Sequence, residues 1–302
     1  MNNTKIVYIC GLGHNGSTSL DLLLDLSPNI TGTSQLNDLL APHDPNETPI
    51  ETRTPRDKFW LEILEQLDTK EQQDLQYQNS IIRREKKLFS FFFRKSARVK
   101  YAQANEALID VLASKLGNQT IVDSSKNITR CLGLLETKYD VRVIHLTRDV
   151  RGFVASHNKR RIENQLRPEY IKPTLLWYAK NTAASLMVKL KAKKYLRVRY
   201  EDYMFQPEQF LASVEKLIDV PLDDCRGGLL GKEKLRPSAS LGFSGNRVLH
   251  NRKDFLLDRS RVSVKGLYLS RWYWLIAGWP AKCWGYSFRP KRIEMELTTR
   301  EK

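Results

Sequence analysis

The chain has 302 residues, of which 41% are hydrophobic, enough for a sizeable core. Fifty Lys and Arg against 34 Asp and Glu give a formal charge of +16, which points to an anionic partner: a nucleotide, a sulfated or phosphorylated substrate, nucleic acid or an anionic membrane surface. No apolar run reaches the ~18 residues of a membrane span, and Cys10, Cys131, Cys225 and Cys283 are too scattered for a zinc site or a redox pair.

Residues 5–20, KIVYICGLGHNGSTSL, read as a buried parallel strand, a glycine turn and the start of an apolar helix over about 17–26. Gly11, Gly13 and Gly16 allow a sharp turn, and Ser17, Thr18 and Ser19 fall where free N–H groups and the positive end of the helix dipole meet an anion. Against the triphosphate-binding pattern G-x-x-x-x-G-K-[ST], Ser17 stands where the lysine belongs. The loop therefore reads as a phosphate-type cradle for a different anion. The strand begins almost at Met1, which leaves no room for a signal peptide and predicts a cytoplasmic protein. N-x-[ST] triplets such as Asn15-Gly16-Ser17 are read as chance matches.

Ser27-Pro28-Asn29 breaks the chain, Ile30 to Thr33 reads as short and turn-like, and Pro42 to Pro55 reads as a surface loop. Residues 56–117 show helical spacing and form a helical insertion, placed at about 44–118. Its middle, IIRREKKLFSFFFRKSARVK, mixes Phe89, Phe91, Phe92 and Phe93 with eight basic residues. That mixture fits a buried aromatic seam with a basic outer face, or a surface that stacks on sugars or bases or meets anionic lipid.

Gln119 to Asp123 is a short strand followed by Ser124, Ser125 and Lys126, and ligands sit outside the carboxyl ends of parallel strands. VRVIHL (141–146) runs into a helix starting near Asp149, on which Arg148, Gly152, Ser156 and Arg160 recur every four residues. Arg148 and Arg151 at a helix N-terminus oppose the dipole unless an anion is bound there. Pro173 opens a long helix to about Lys194, YLRVRY (195–200) is a strand, and Gln206-Pro207-Glu208 opens another helix. The recurring β-loop-α pattern predicts an α/β fold, a three-layer α/β/α arrangement with a central parallel sheet, in one domain over 1–302. A basic, glycine-rich lid and an aromatic helix close it at about 227–290; the aromatic helix reads as core, with a membrane-surface contact as its second reading.

In order and spacing these pieces resemble the sulfotransferases that use 3′-phosphoadenosine 5′-phosphosulfate (PAPS), over nearly the whole chain. The resemblance implies that Gly13, His14, Asn15, Gly16, Ser17 and Thr18 hold the 5′-phosphosulfate and that Arg148 and Ser156, eight residues apart, hold the 3′-phosphate. It further implies that Arg160 and Tyr200 contact the nucleotide, that Asn246 and Arg247 lie in the late G-N-R loop, and that Gly285-Tyr286 ends the closing helix. Two positions depart from the family pattern: His14 replaces a common Arg or Lys, and Gln35 replaces a common Glu base. His14 and Lys126 are the expected catalytic groups, His14 either as a protonated partner of the leaving phosphate, the favoured reading, or as the base. The resemblance implies no metal and no nucleic-acid partner, and it leaves the acceptor open among carbohydrate, lipid-linked sugar, metabolite and peptide. Two rival readings are a degenerate P-loop kinase that uses Asp123 for magnesium, and a non-catalytic basic module that binds nucleic acid or anionic lipid.

Overall fold

A computed structural model describes residues 4–39, 55–82, 88–117, 119–229, 241, 277–278 and 281–286. At its centre is a parallel sheet in the order β2-β3-β1-β4-β5, formed by β1 (Lys5–Gly11), β2 (Ile30–Gly32), β3 (Thr120–Lys126), β4 (Asp140–Thr147) and β5 (Lys194–Arg199). β1 is central, and its alternate side chains enter two different cores. Val7 and Ile9 pack with α1 (Ser17–Leu24), α10 (Tyr200–Phe205), α11 (Pro207–Ile218) and α12 (Asp223–Leu229). Ile6, Tyr8 and Cys10 pack on the other face with α2 (Pro55–Glu65), α5 (Lys95–Lys115) and α6 (Ile128–Leu134). A strand buried on both faces has to be apolar at every position, which is why KIVYIC shows no alternation.

The expected three-layer arrangement is therefore present, and among the described residues between β2 and β3 the chain is mainly helical. α3 (Thr69–Ile82) and α4 (Leu88–Phe93) complete the described part of the insertion. Its aromatic run is split: Phe91 is buried against Tyr101, whereas Phe89 and Phe93 are exposed. The loop expected at 42–55 lies, up to its last residue, outside the described residues.

Three strand boundaries differ from the sequence reading, besides the long helix, which begins at Ile171 rather than Pro173 and ends at Lys191. Ile30–Gly32 is an edge strand rather than a turn, paired in parallel with Thr120–Val122. β3 does not stop at Asp123: its pairing with β1 steps from Tyr8↔Asp123 to Cys10↔Lys126, one extra residue that forms a bulge around Ser124 and Ser125. A bulge bends its strand and re-aims the residues beyond it, and Lys126 sits at φ 67, in the left-handed region. The third is Tyr200, which is the first residue of α10 and not the last of β5.

The insertion is fixed to the end of β3 by a buried ion pair. Arg130 donates from Nε to Asp123 Oδ2 at 2.7 Å and from Nη1 to Tyr101 Oη and Asn105 Oδ1 on α5. Both partners are almost fully buried, so removing one strands a charge in a low-dielectric interior. Arg130→Met is expected to destabilise the protein by about 3–5 kcal/mol in urea denaturation, and adding Asp123→Leu to recover much of that loss.

Candidate active site

The loop after β1 carries the chain over the carboxyl end of the sheet into α1. Gly16 caps the helix at φ 91, and a Cβ there would lie 2.3 Å from the Tyr200 ring and 2.9 Å from the Tyr203 hydroxyl. Only glycine lets the first turn of α1 rest on these rings. Asn15 holds the loop from below: its amide donates to the Leu146 carbonyl, and its Oδ1 accepts from Ser17 N. Ser19 donates to the Gly16 carbonyl and shares a 2.7 Å hydrogen bond with the Tyr203 hydroxyl. Gly13 is exposed with open space around it, and His14, at φ 62, joins Gly16 in the left-handed region although it carries a side chain. Thr18 stays half-buried in the first turn.

Arg148 leaves the end of β4 just before α7 (Val150–Glu163), and three contacts set its course. Its Nη1 donates to the His14 carbonyl at 2.8 Å, and its guanidinium lies 4.7 Å from the centre of the Tyr200 ring. Its Nε would be 3.0 Å from a Cβ on Gly152. The close approach that Gly152 permits is thus that of Arg148 itself. Tyr200, almost fully buried, underlies both the cradle and this guanidinium. Ser156, two turns into α7, places its hydroxyl 3.3 Å from His14 Nδ1, so Arg148 and Ser156 converge on the loop as the stripe predicts. Arg160, one turn further, is exposed.

Arg151 departs from expectation. It is buried and bonded to the Asp149 carboxylate through Nε and Nη2. Asp149 also caps α7 by accepting from Arg151 N, so that arginine is neutralised within the fold and does not face a ligand.

Lys126 on β3 lies close enough to act on the His14 charge, and the segment after β2 runs beside that end of β3. Thr33 and Ser34 continue alongside β3, through Thr33 N to Val122 O and Ser124 N to Ser34 O. This brings Gln35 to the short 3-10 turn whose Asn37 N donates to Ser125 Oγ. Lys126 Nζ donates to the Ser124 carbonyl. Burial pulls the Lys126 ammonium down to about 8, while Asp38, Asp21 and Asp123 support its charge.

His14 is lowered to about 4, first by burial and then by His157, Arg160, Arg148 and Lys126 around it. The ring is therefore neutral near pH 7, in contrast to the protonated ring favoured from the family position. Asp123, read in one rival as a magnesium ligand, accepts from Arg130 on one oxygen and from Ser125 N and Oγ on the other. Its carboxylate is committed to the fold. Asn246, Arg247 and nearly all of the expected lid lie outside the described residues. Of the closing segment, Tyr286 shares a 3.0 Å hydrogen bond with Thr147, and Trp284 packs edge-on against Trp177, so this end is core.

A folded-state pKa below the ordinary histidine value means that the unfolded chain binds the proton first. The stability attached to a neutral His14 is then complete above about pH 6.5 and is lost as pH falls towards 4. In an NMR titration the His14 ring is expected to show a midpoint near 4, and one near 6.5 would contradict this electrostatic account.

The chain matches no curated protein sequence closely enough to count as a relative. In fold it is similar to the sulfotransferase domain of the Synechococcus PCC 7002 olefin synthase, with a TM-score of 0.54 at 18% identity over 95% of this chain and 96% of that one. It is also similar to the sulfotransferase domain of the curacin biosynthetic pathway, with a TM-score of 0.52 at 15% identity over 99% of both chains. Sulfotransferase STF9 from Mycobacterium avium gives a TM-score of 0.51 at 12% identity, covering 94% of this chain and 77% of that one. A family model described as "Sulfotransferase family" matches residues 7–224, which include the cradle, Lys126, Arg148, Ser156 and Tyr200, and the chain therefore belongs to the sulfotransferase family.

Proposed function

We propose that this protein transfers a sulfuryl group from PAPS to an acceptor hydroxyl or amine, on a carbohydrate, lipid-linked sugar, metabolite or peptide. The observation that carries this reading is the convergence of Arg148 and Ser156 on His14 beside the N-terminus of α1. A helix N-terminus and a guanidinium with an adjacent hydroxyl form two neighbouring anion sites, as a nucleotide with phosphates at both 5′ and 3′ positions requires. In this reading, N–H groups of the 13–18 loop hold the 5′ end, Arg148 and Ser156 hold the 3′-phosphate, and Arg160 adds positive potential. Asn246 and Arg247 are proposed to complete the donor site from the late loop.

The donor supplies the sulfuryl group: its sulfur–oxygen bond to phosphate breaks as the acceptor atom bonds sulfur. Such transfer depends chiefly on positioning and on stabilising charge at the leaving phosphate. Lys126 and the first-turn N–H groups of α1 serve that role. Gln35, at the position of the family's acid, is an amide and takes up no proton. His14, neutral and at the cradle, is then the group that accepts the acceptor's proton.

The kinase reading loses ground because the cradle has no lysine at Ser17 and the Asp123 carboxylate is already bonded to Arg130 and Ser125. The non-catalytic reading rests on the aromatic insertion, in which Phe91 is a core residue.

The desulfonated nucleotide, 3′-phosphoadenosine 5′-phosphate (PAP), is expected to raise the thermal midpoint, since a ligand at a hundredfold excess over Kd adds about 2.7 kcal/mol of stability. Stabilisation by magnesium ATP but not by PAP would return the reading to a kinase. Arg148→Ala and Ser156→Ala are each expected to weaken PAP by roughly 10- to 100-fold in calorimetry, with adenosine 5′-phosphosulfate much less affected. Equal losses for both nucleotides would reject the 3′-phosphate assignment. Lys126→Ala is expected to lose most single-turnover activity with PAP affinity largely kept. Wild-type single-turnover rates should rise with pH through the His14 titration, and a fall over that range would assign His14 to the leaving phosphate instead.

A further inference from the structure

Helix α8 (Ile171–Ala183), a π-helical turn (Ala184–Val188) and α9 (Lys189–Lys191) form one continuous helical run, about 30 Å long at 1.5 Å per residue. Its inner face is buried through Pro173, Thr174, Trp177, Asn181, Ala184 and Val188. Trp177 donates to the Arg148 carbonyl and Asn181 bonds His145, so this face belongs to the catalytic end of the sheet.

The outer face does not have the polar character of a water-facing helix. Ile171, Leu175, Leu186 and Leu190 are between 58% and 75% exposed and lie along one side, with Ala179 and Thr182 exposed between them. Residues 171–194 contain six lysines and no Asp or Glu. Of these, Lys172, Lys189, Lys191, Lys193 and Lys194 are exposed, the last of them paired with Asp140. At the far end the Lys191 ammonium lies 5.5 Å from the centre of the Phe92 ring, which packs edge-on against Phe93. Phe89 and Phe93, four residues apart on α4, present outward aromatic rings, followed by exposed Arg94 and Lys95. Four large exposed apolar side chains along one helix, with two exposed aromatic rings on the neighbouring α4 and cations around them, differ from the single scattered residues normal on a protein surface.

We propose that this face docks on an anionic lipid bilayer, with the 171–191 run lying in the plane of the interface and Phe89 and Phe93 inserting at one end. A cationic helix with one apolar face has the composition of an interfacial helix, and each lysine near an anionic surface adds to the attraction. A second copy of the chain fits poorly, because two such faces would oppose their lysines with no carboxylate between them. No helix among the described residues is long and apolar enough to cross a membrane, so the contact is peripheral. It rests on surface chemistry alone and stands apart from the sulfuryl-transfer reading, although it would bring the catalytic end of the sheet to membrane-borne acceptors.

The test is co-sedimentation of the full-length protein with phosphatidylcholine vesicles made with and without phosphatidylserine. The Ile171→Ser/Leu175→Ser/Leu186→Ser/Leu190→Ser variant keeps every charge, and circular dichroism monitors its fold. Wild type is expected to bind the phosphatidylserine vesicles, and the variant to bind them at least ~10-fold more weakly. Equal binding by both would mean bulk charge alone and would overturn the proposal, as would no binding by wild type. A wild-type dimer in light scattering that the variant dissolves would also overturn it, in favour of a second copy. If the variant does not fold, Cys283→Ser/Leu190→Cys carrying an environment-sensitive fluorophore decides, because the other cysteines are buried. A blue shift on adding phosphatidylserine vesicles supports docking, and unchanged emission rejects it.

Discussion

The Tyr200 ring is the contact on which the candidate site depends. It is the floor under Gly16, where any Cβ would overlap its edge, and it is also the surface on which the Arg148 guanidinium lies. The start of α1, the end of β4 and the start of α10 are thereby held in register by one aromatic side chain. Tyr203, edge-on to Tyr200 and hydrogen-bonded to Ser19, extends that floor beneath the first turn of α1. Cation–π contacts contribute only about 0.5–2 kcal/mol each, so the value of this arrangement lies in orientation: Arg148 arrives with few rotamers left to lose.

Around this floor the carboxyl end of the sheet is electrostatically unfavourable for cations. Lys126 is pulled down by burial, and His14 is pushed down by burial and by its cationic neighbours. On the opposite side of the balance, burial raises Asp21 and Glu201 to about 7, so near neutrality these carboxyls are only partly ionised and offset the cations only in part. Arg151 and Arg130 are matched within the fold by Asp149 and Asp123, whereas Arg148 is placed by the His14 carbonyl and the Tyr200 ring. An anion entering here meets groups already placed and already desolvated. That is the condition under which charge stabilisation at a leaving phosphate has its largest effect.

Much of this was legible in the chain because it depends on local chemistry. KIVYIC followed by a glycine turn and hydroxyls specifies a buried strand and a helix N-terminus, and the eight-residue interval from Arg148 to Ser156 places both on one side of α7. What was hidden depends on partners distant in sequence. Ile30–Gly32 is too short to show a strand pattern, and only its pairing with β3 makes it one. The bulge that redirects Lys126 appears in the register between two strands rather than in either alone. Arg151 looked like a ligand group because its neutralisation by Asp149 requires a particular rotamer, although Asp149 two residues away was the available hint. The neutrality of His14 is not legible in the chain because it is set first by burial and then by His157, Arg160, Arg148 and Lys126 from other elements. Tyr200 can be placed near the nucleotide by resemblance, but its role as a floor emerges only when the starts of α10 and α1 are seen side by side.

The most direct test of the central claim, that the α1 cradle and the Arg148–Ser156 pair form one nucleotide site resting on Tyr200, is a crystal structure of the protein with PAP. The account predicts the 5′-phosphate on N–H groups of the 13–18 loop and the 3′-phosphate within hydrogen-bond distance of both Arg148 and Ser156, with Tyr200 still beneath the guanidinium. Density for PAP elsewhere, or a 3′-phosphate away from Arg148 and Ser156, would contradict it.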